Sequence, residues 1–201
     1  RHDSEADFMY GGFYKAILDV MSIKKVDRWS VCFRTYGDGT DQFKDTESGK
    51  KTTVTVIRDD EEYPVYVSGR DAAFYLMLIL ASATGEGSVD FEDRRQEGIN
   101  QRRYEFLYQR LSRRSVDGDT DHKKCPDVTA PRTRIPMKSR LISAIKDSNL
   151  TEKSLYMPQE KGRNNLYVPV DPSRVIIESP RGRKALTDIG CILLSDYKGI
   201  V

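Results

Sequence analysis

Apolar positions recur along the chain at two different spacings. Phe8, Phe13, Ile17, Leu18 and Met21 fall at near-helical intervals and predict an amphipathic helix over about 7–23, weakened at its start by Gly11-Gly12. From Arg28 the spacing changes. Trp29-Ser30-Val31-Cys32-Phe33-Arg34, Thr52-Thr53-Val54-Thr55-Val56-Ile57 and Tyr63-Pro64-Val65-Tyr66-Val67 alternate or run in β-branched residues, which predicts three strands. Turn formers from Tyr36-Gly37-Asp38-Gly39-Thr40 to Lys51 separate the first two. Arg58-Asp59-Asp60-Glu61-Glu62 is a short acidic connection between the second and third, so the sheet is expected to be antiparallel.

Helical periodicity then returns. Ser68 is placed to cap a helix, with Asp71 three residues later in a variant of the capping box, and Ala72 to Ala83 is apolar nearly all round, as a helix at the centre of a core must be. Ile99, Tyr104, Phe106, Leu107 and Leu111 give a second helix an apolar side over about 99–114, with Arg102, Arg103, Arg110, Arg113 and Arg114 opposite and Gly98 or Asn100 as its expected cap. Residues 115–136 hold hardly any large apolar side chain and read as a mobile insertion loop. Pro136 is suited to open a third helix through Leu141, Ile142, Ile145 and Leu150, whose outer face carries Lys138, Arg140, Ser143 and Lys146. Ser154-Leu155-Tyr156-Met157 and Leu166-Tyr167-Val168-Pro169-Val170 flank the basic tip Lys161-Gly162-Arg163-Asn164-Asn165, which predicts a hairpin. Arg174 to Glu178 is one more short strand, and 179–201 is a tail in which Cys191-Ile192-Leu193-Leu194 is apolar enough to dock.

These elements define an α+β fold: an N-terminal helical segment over 1–27, a domain over 28–178 and the tail over 179–201. The chain has 201 residues, 38% hydrophobic and 32% charged, enough apolar material for a core without metal or disulfide staples, and no cofactor is implied. The apolar run at 72–83 is about half the length a bilayer requires, and no membrane partner is expected. The N-terminus shows no secretory pattern and lacks an initiator Met, so the chain reads as a fragment or a processed form. Cys32, Cys125 and Cys191 are odd in number and widely spaced, which implies a reducing, cytoplasmic compartment.

Charge changes the picture most. Residues 1–93 hold 18 acidic and 11 basic side chains, whereas 94–201 hold 13 acidic and 22 basic. A basic half points to a polyanion, because clustered Lys and Arg release counterions from phosphates; equally, the two halves can neutralise one another.

The order of sheet, buried helix, second helix, basic-faced third helix and basic-tipped hairpin resembles a winged-helix domain, specifically the effector domain of response-regulator transcription factors, over roughly 52–177. The resemblance implies a module without chemistry of its own that binds double-stranded DNA. Lys138, Ser139, Arg140, Ser143 and Lys146 would lie on the recognition helix, and Lys161, Arg163, Asn164 and Asn165 at the wing. Arg132 and Arg134, with Lys123 and Lys124, would form an extra arm in the loop, which is much longer than the turn that family has there. The resemblance does not extend to a phosphoacceptor domain, so phosphorelay control is not implied. On this basis Arg140→Ala and Lys161→Ala are each expected to weaken duplex binding with thermal stability nearly unchanged.

Other signals weigh less. His122 and Cys125 lack further ligands at zinc spacing, and no nucleophile has a readable base. Asp90, Glu92 and Asp93 beside Arg94 and Arg95 could be a metal-dependent nuclease cluster, but an exposed polar turn before a helix explains them more simply. Tyr104, Tyr108 and Tyr156 could stack on bases, but half-buried core is the commoner place for Tyr at helical spacing. The alternative to DNA binding is a scaffold module that meets a protein partner through its acidic N-terminal half.

Overall fold

The computed structural model describes residues 29–35, 54–111, 125–179 and 181–201. The helix expected over 7–23, the loop at 36–51 and the stretch 115–124 of the expected insertion lie outside these residues. Among the described residues the fold is α+β, with a five-stranded sheet, a three-stranded sheet and four α-helices.

Strands β1 (Trp29–Arg34), β2 (Val54–Arg58) and β3 (Glu61–Val65) form the expected antiparallel meander. Asp59 and Asp60 both have positive φ, 50° and 69°, in the two-residue β2–β3 turn. That conformation suits the right-handed twist of a hairpin, and Asp tolerates it better than most side chains. The meander is only part of the sheet. β7 (Val175–Ser179) pairs in parallel with β1, from Val31 opposite Val175 to Arg34 opposite Glu178, and β8 (Gly182–Ala185) pairs antiparallel with β7. The sheet is therefore mixed, in the order β3-β2-β1-β7-β8. It also curls, since Arg183 on one edge strand lies 2.7 Å from Glu62 on the other. The tail at 179–201 is thus a strand and a helix of the fold.

Between β3 and β7 the chain builds the helical layer. Helix α1 (Gly69–Leu80) is capped as its sequence suggests: Ser68 Oγ accepts from the Asp71 amide at 3.2 Å and donates to the Asp71 carboxylate at 2.7 Å. Every residue from Asp71 to Leu80 is buried. Each of its Leu, Ile, Met and Phe side chains contributes about 1.5–3 kcal/mol through burial. Helix α2 (Arg94–Leu111) begins five residues before the expected start, where the Asp93 carboxylate accepts from the Arg95 amide at 2.9 Å. Asn100 is accordingly no cap: it is buried within α2 and donates to the Asp90 carbonyl. Helix α3 (Pro131–Asp147) likewise starts early. Pro131 occupies the first turn, where its missing N–H costs nothing, and Pro136 lies inside the helix.

A short β4 (Val89–Asp90) follows α1, and β5 (Gln159–Glu160) and β6 (Asn165–Tyr167) form a hairpin after α3. β6 pairs with both, giving the order β4-β6-β5. Its turn uses Gly162 at φ +82°, where a side chain would be strained, and Asn164 at +54°. Residues 154–157 do not extend this hairpin; Lys153–Leu155 is a 3-10 turn. Finally α4 (Leu193–Lys198) docks on α2, with the Tyr197 ring against Phe106 and under the Arg103 guanidinium, 5.4 Å from the ring centroid. No helix among the described residues is long and apolar enough to cross a membrane.

Candidate nucleic-acid interface

Met137, Leu141 and Ile145 turn one side of α3 into the core, which leaves Arg132, Ile135, Pro136, Ser139, Arg140, Ser143, Lys146 and Asp147 exposed on the other. The β5–β6 hairpin lies alongside. Lys138 is ion-paired with Glu160 of β5, and Arg134 reaches Asn164 Oδ1 at 3.4 Å, so helix and hairpin tip form one continuous surface. Lys161, Gly162 and Arg163 are exposed at that tip.

The candidate residues divide by what already holds them. Arg132, Ser143, Lys146 and Lys161 present their side chains to solvent. Ser139 is exposed too, with its hydroxyl donating to the Ile135 carbonyl at 3.0 Å. Arg163, 88% exposed, lies 3.3 Å from Glu92, and Asn164 donates to the same carboxylate at 2.8 Å. The Lys138–Glu160 pair is also at the surface, and Lys138 pulls the Glu160 carboxyl below its ordinary value. Exposed pairs of this kind are weak and screened by salt, so a phosphate can displace the carboxylate.

Two arginines have other work. Arg134, expected in a loop arm, is buried in the second turn of α3: its guanidinium lies over the Phe91 ring, 4.8 Å from the centroid, and donates to the Thr129 carbonyl. Burial lowers its pKa. Arg140 grips Asp71 with two hydrogen bonds, 3.0 and 2.7 Å. The Asp71 side chain is only 3% exposed, so Arg140 is the counter-ion of a buried carboxylate that also belongs to the α1 cap. The expectation that Arg140→Ala leaves stability nearly unchanged is therefore corrected: removal strands a buried charge. Asn165 is not at the tip either. It pairs with Asp90 in the three-stranded sheet, and its Oδ1 is buried without a hydrogen-bond partner.

A groove of about 530 Å³ runs between the start of α1 and the exposed side of α3, lined by Tyr66, Arg70, Asp71, Ser139, Arg140 and Ser143. Comparison of the chain with protein-family models, with curated proteins and with solved structures finds no match. The acidic cluster at 90–93 serves the backbone. Asp90 Oδ1 accepts from the amides of Glu92 and Asp93, at 2.8 and 3.2 Å, and Asp93 caps α2. Among the described residues no group of three or more His, Cys, Asp and Glu is arranged to hold a metal. The aromatic candidates sit inward: Tyr104 and Tyr156 are buried, and Tyr108 stacks on Tyr104 with centroids 5.9 Å apart.

Sequence reasoning missed Arg70 and Tyr66 at the groove. A signal existed for Tyr66. It lies between Val65 and Val67, and period-two alternation sends it to the face opposite those two buried neighbours, where it is 58% exposed.

Proposed function

We propose that roughly residues 52–177 act as a winged-helix-like module that binds double-stranded DNA, with α3 in the major groove and the β5–β6 tip against the backbone. The observation that carries this reading is the joining of α3 to the hairpin through Lys138–Glu160 and Arg134–Asn164, beside a three-stranded sheet in the order β4-β6-β5. A helix must be presented with its outer face free and a basic hairpin beside it to engage groove and phosphates together.

The contact set follows from exposure. Arg132, Lys146 and Lys161 meet phosphates directly, Lys138 and Arg163 do so by exchanging Glu160 and Glu92 for phosphate oxygens, and Ser139 and Ser143 face base edges or backbone. Arg134 acts behind this surface, seating α3 on the hairpin and Phe91, while Arg140, exposed on it, fixes α3 to the start of α1. The module carries no chemistry of its own in this reading.

A second reading, an interaction module that docks a protein partner through its acidic half, is favoured by Glu92, which already holds Arg163 and Asn164 of the basic tip, and by Glu61 and Glu62, both exposed on edge strand β3. Fluorescence anisotropy with a labelled random-sequence duplex across a salt series separates the two. DNA binding through several phosphates gives an affinity that falls steeply and linearly on logarithmic axes, whereas a protein-docking module leaves the duplex unbound at low salt.

A further inference from the structure

Ile135 stands out on the exposed side of α3. It is 59% exposed, the one large apolar side chain of α1, α2 and α3 to project into solvent among the described residues. The core does not need it there, since Met137, Leu141 and Ile145 supply the buried side of the helix. Its surroundings are polar but for two exposed prolines, Pro131 one turn before it and Pro136 beside it: Arg132 also lies one turn before it and Ser139 one turn after, and its own carbonyl holds the Ser139 hydroxyl. Ile135 also lies in the N-terminal third of α3, the part of such a helix that reaches base edges.

A small apolar patch amid polar neighbours on a groove-facing helix matches one chemical feature of the major groove. Of the four bases only thymine presents a methyl there, at C5; the others are told apart by their hydrogen-bond donors and acceptors. Building on the DNA-binding reading above, we infer that Ile135 is a specificity-determining residue that packs against a thymine methyl, with Pro136 widening the apolar contact. Arg132 and Ser139, one turn to either side, anchor the flanking backbone or base edges and so fix which base lies opposite Ile135.

The test uses thymine against deoxyuridine, which differ by that methyl alone. A random duplex pool is selected on the full chain, and the enriched duplex is resynthesised with deoxyuridine replacing thymidine one position at a time. At one thymine the wild-type chain is expected to lose about three- to fivefold in affinity, the effect of one buried methyl, with the slope against salt unchanged. Ile135→Ala binds the thymine and deoxyuridine duplexes equally, and Ile135→Val retains part of the difference. Both variants change an exposed position, and an unchanged melting temperature confirms that each is folded. The inference is overturned if no sequence enriches, if no substitution discriminates, or if Ile135→Ala still discriminates. In those cases salt-dependent binding to the unselected pool leaves the DNA-binding reading standing; no binding to any duplex removes both.

Discussion

Arg140 carries the clearest consequence for a single residue. Its partner Asp71 is almost wholly removed from solvent and sits where the α1 cap, the edge of the groove and α3 meet. Arg140→Ala is expected to lower stability by about 2–4 kcal/mol in urea denaturation, because a stranded buried carboxylate keeps its desolvation cost. Asp71→Asn with Arg140→Ala recovers part of the loss; an Arg140→Ala midpoint equal to wild type contradicts the assignment. The cysteines are the quiet counterpart. Burial pushes the Cys32 thiol up to about 11 and the Cys125 thiol up to about 12, and raises Cys191. Iodoacetamide at pH 7.5 should label these three slowly in the folded chain and quickly after denaturation, while fast labelling of Cys32 in the native state tells against its burial.

At the scale of elements, the basic face of α3 and the hairpin tip are held by the protein's own carboxylates, Glu160 on Lys138 and Glu92 on Arg163 and Asn164. Glu160→Gln and Glu92→Gln should each tighten duplex binding, about two- to fivefold at low salt and less at high salt, since a competing carboxylate has been neutralised. Weaker binding in both would mean that these pairs shape the interface instead of screening it. The elements differ in how legible they were. The β2–β3 turn, the Ser68 cap and the turn at 161–164 could be read from the chain because each rests on residues a few positions apart. The early starts of α2 and α3 were missed because polar first turns, such as Arg94-Arg95-Gln96-Glu97, carry no apolar period; Asp93 and Pro131 are their signals, and each looks like an ordinary loop residue. The fates of Arg134 and Arg140 were hidden for a different reason. An arginine outside a core pattern looks exposed until tertiary packing brings Phe91 or Asp71 to it.

For the whole molecule, the pairing of β1 with β7 closes the fold, since it brings Arg34 beside Glu178 at 3.0 Å across most of the described chain. No local pattern announces that partner, and an antiparallel expectation follows naturally from a meander read alone. Acid sensitivity is also distributed. The Arg95 amide lowers Asp93, the Thr129 hydroxyl lowers Asp127 and the Ser173 hydrogen bonds lower Asp171, each below the usual carboxylate value. Depressed folded-state values stabilise the fold fully above the unfolded carboxylate range, about pH 4, and that contribution is lost as pH falls through the lower folded values. The urea midpoint should therefore be level from about pH 7 to 5 and decline below about pH 4; a midpoint that rises on acidification contradicts this.

The proposal that α3 and the hairpin tip meet phosphates is tested most directly by comparing salt slopes. Duplex affinity is measured for wild type, Arg132→Ala and Lys161→Ala, both altered positions being exposed. Each variant should bind more weakly, with the slope of log affinity against log salt shallower by about 0.9, the share of a single neutralised phosphate. Parallel lines of unchanged affinity would show that these side chains do not touch the backbone.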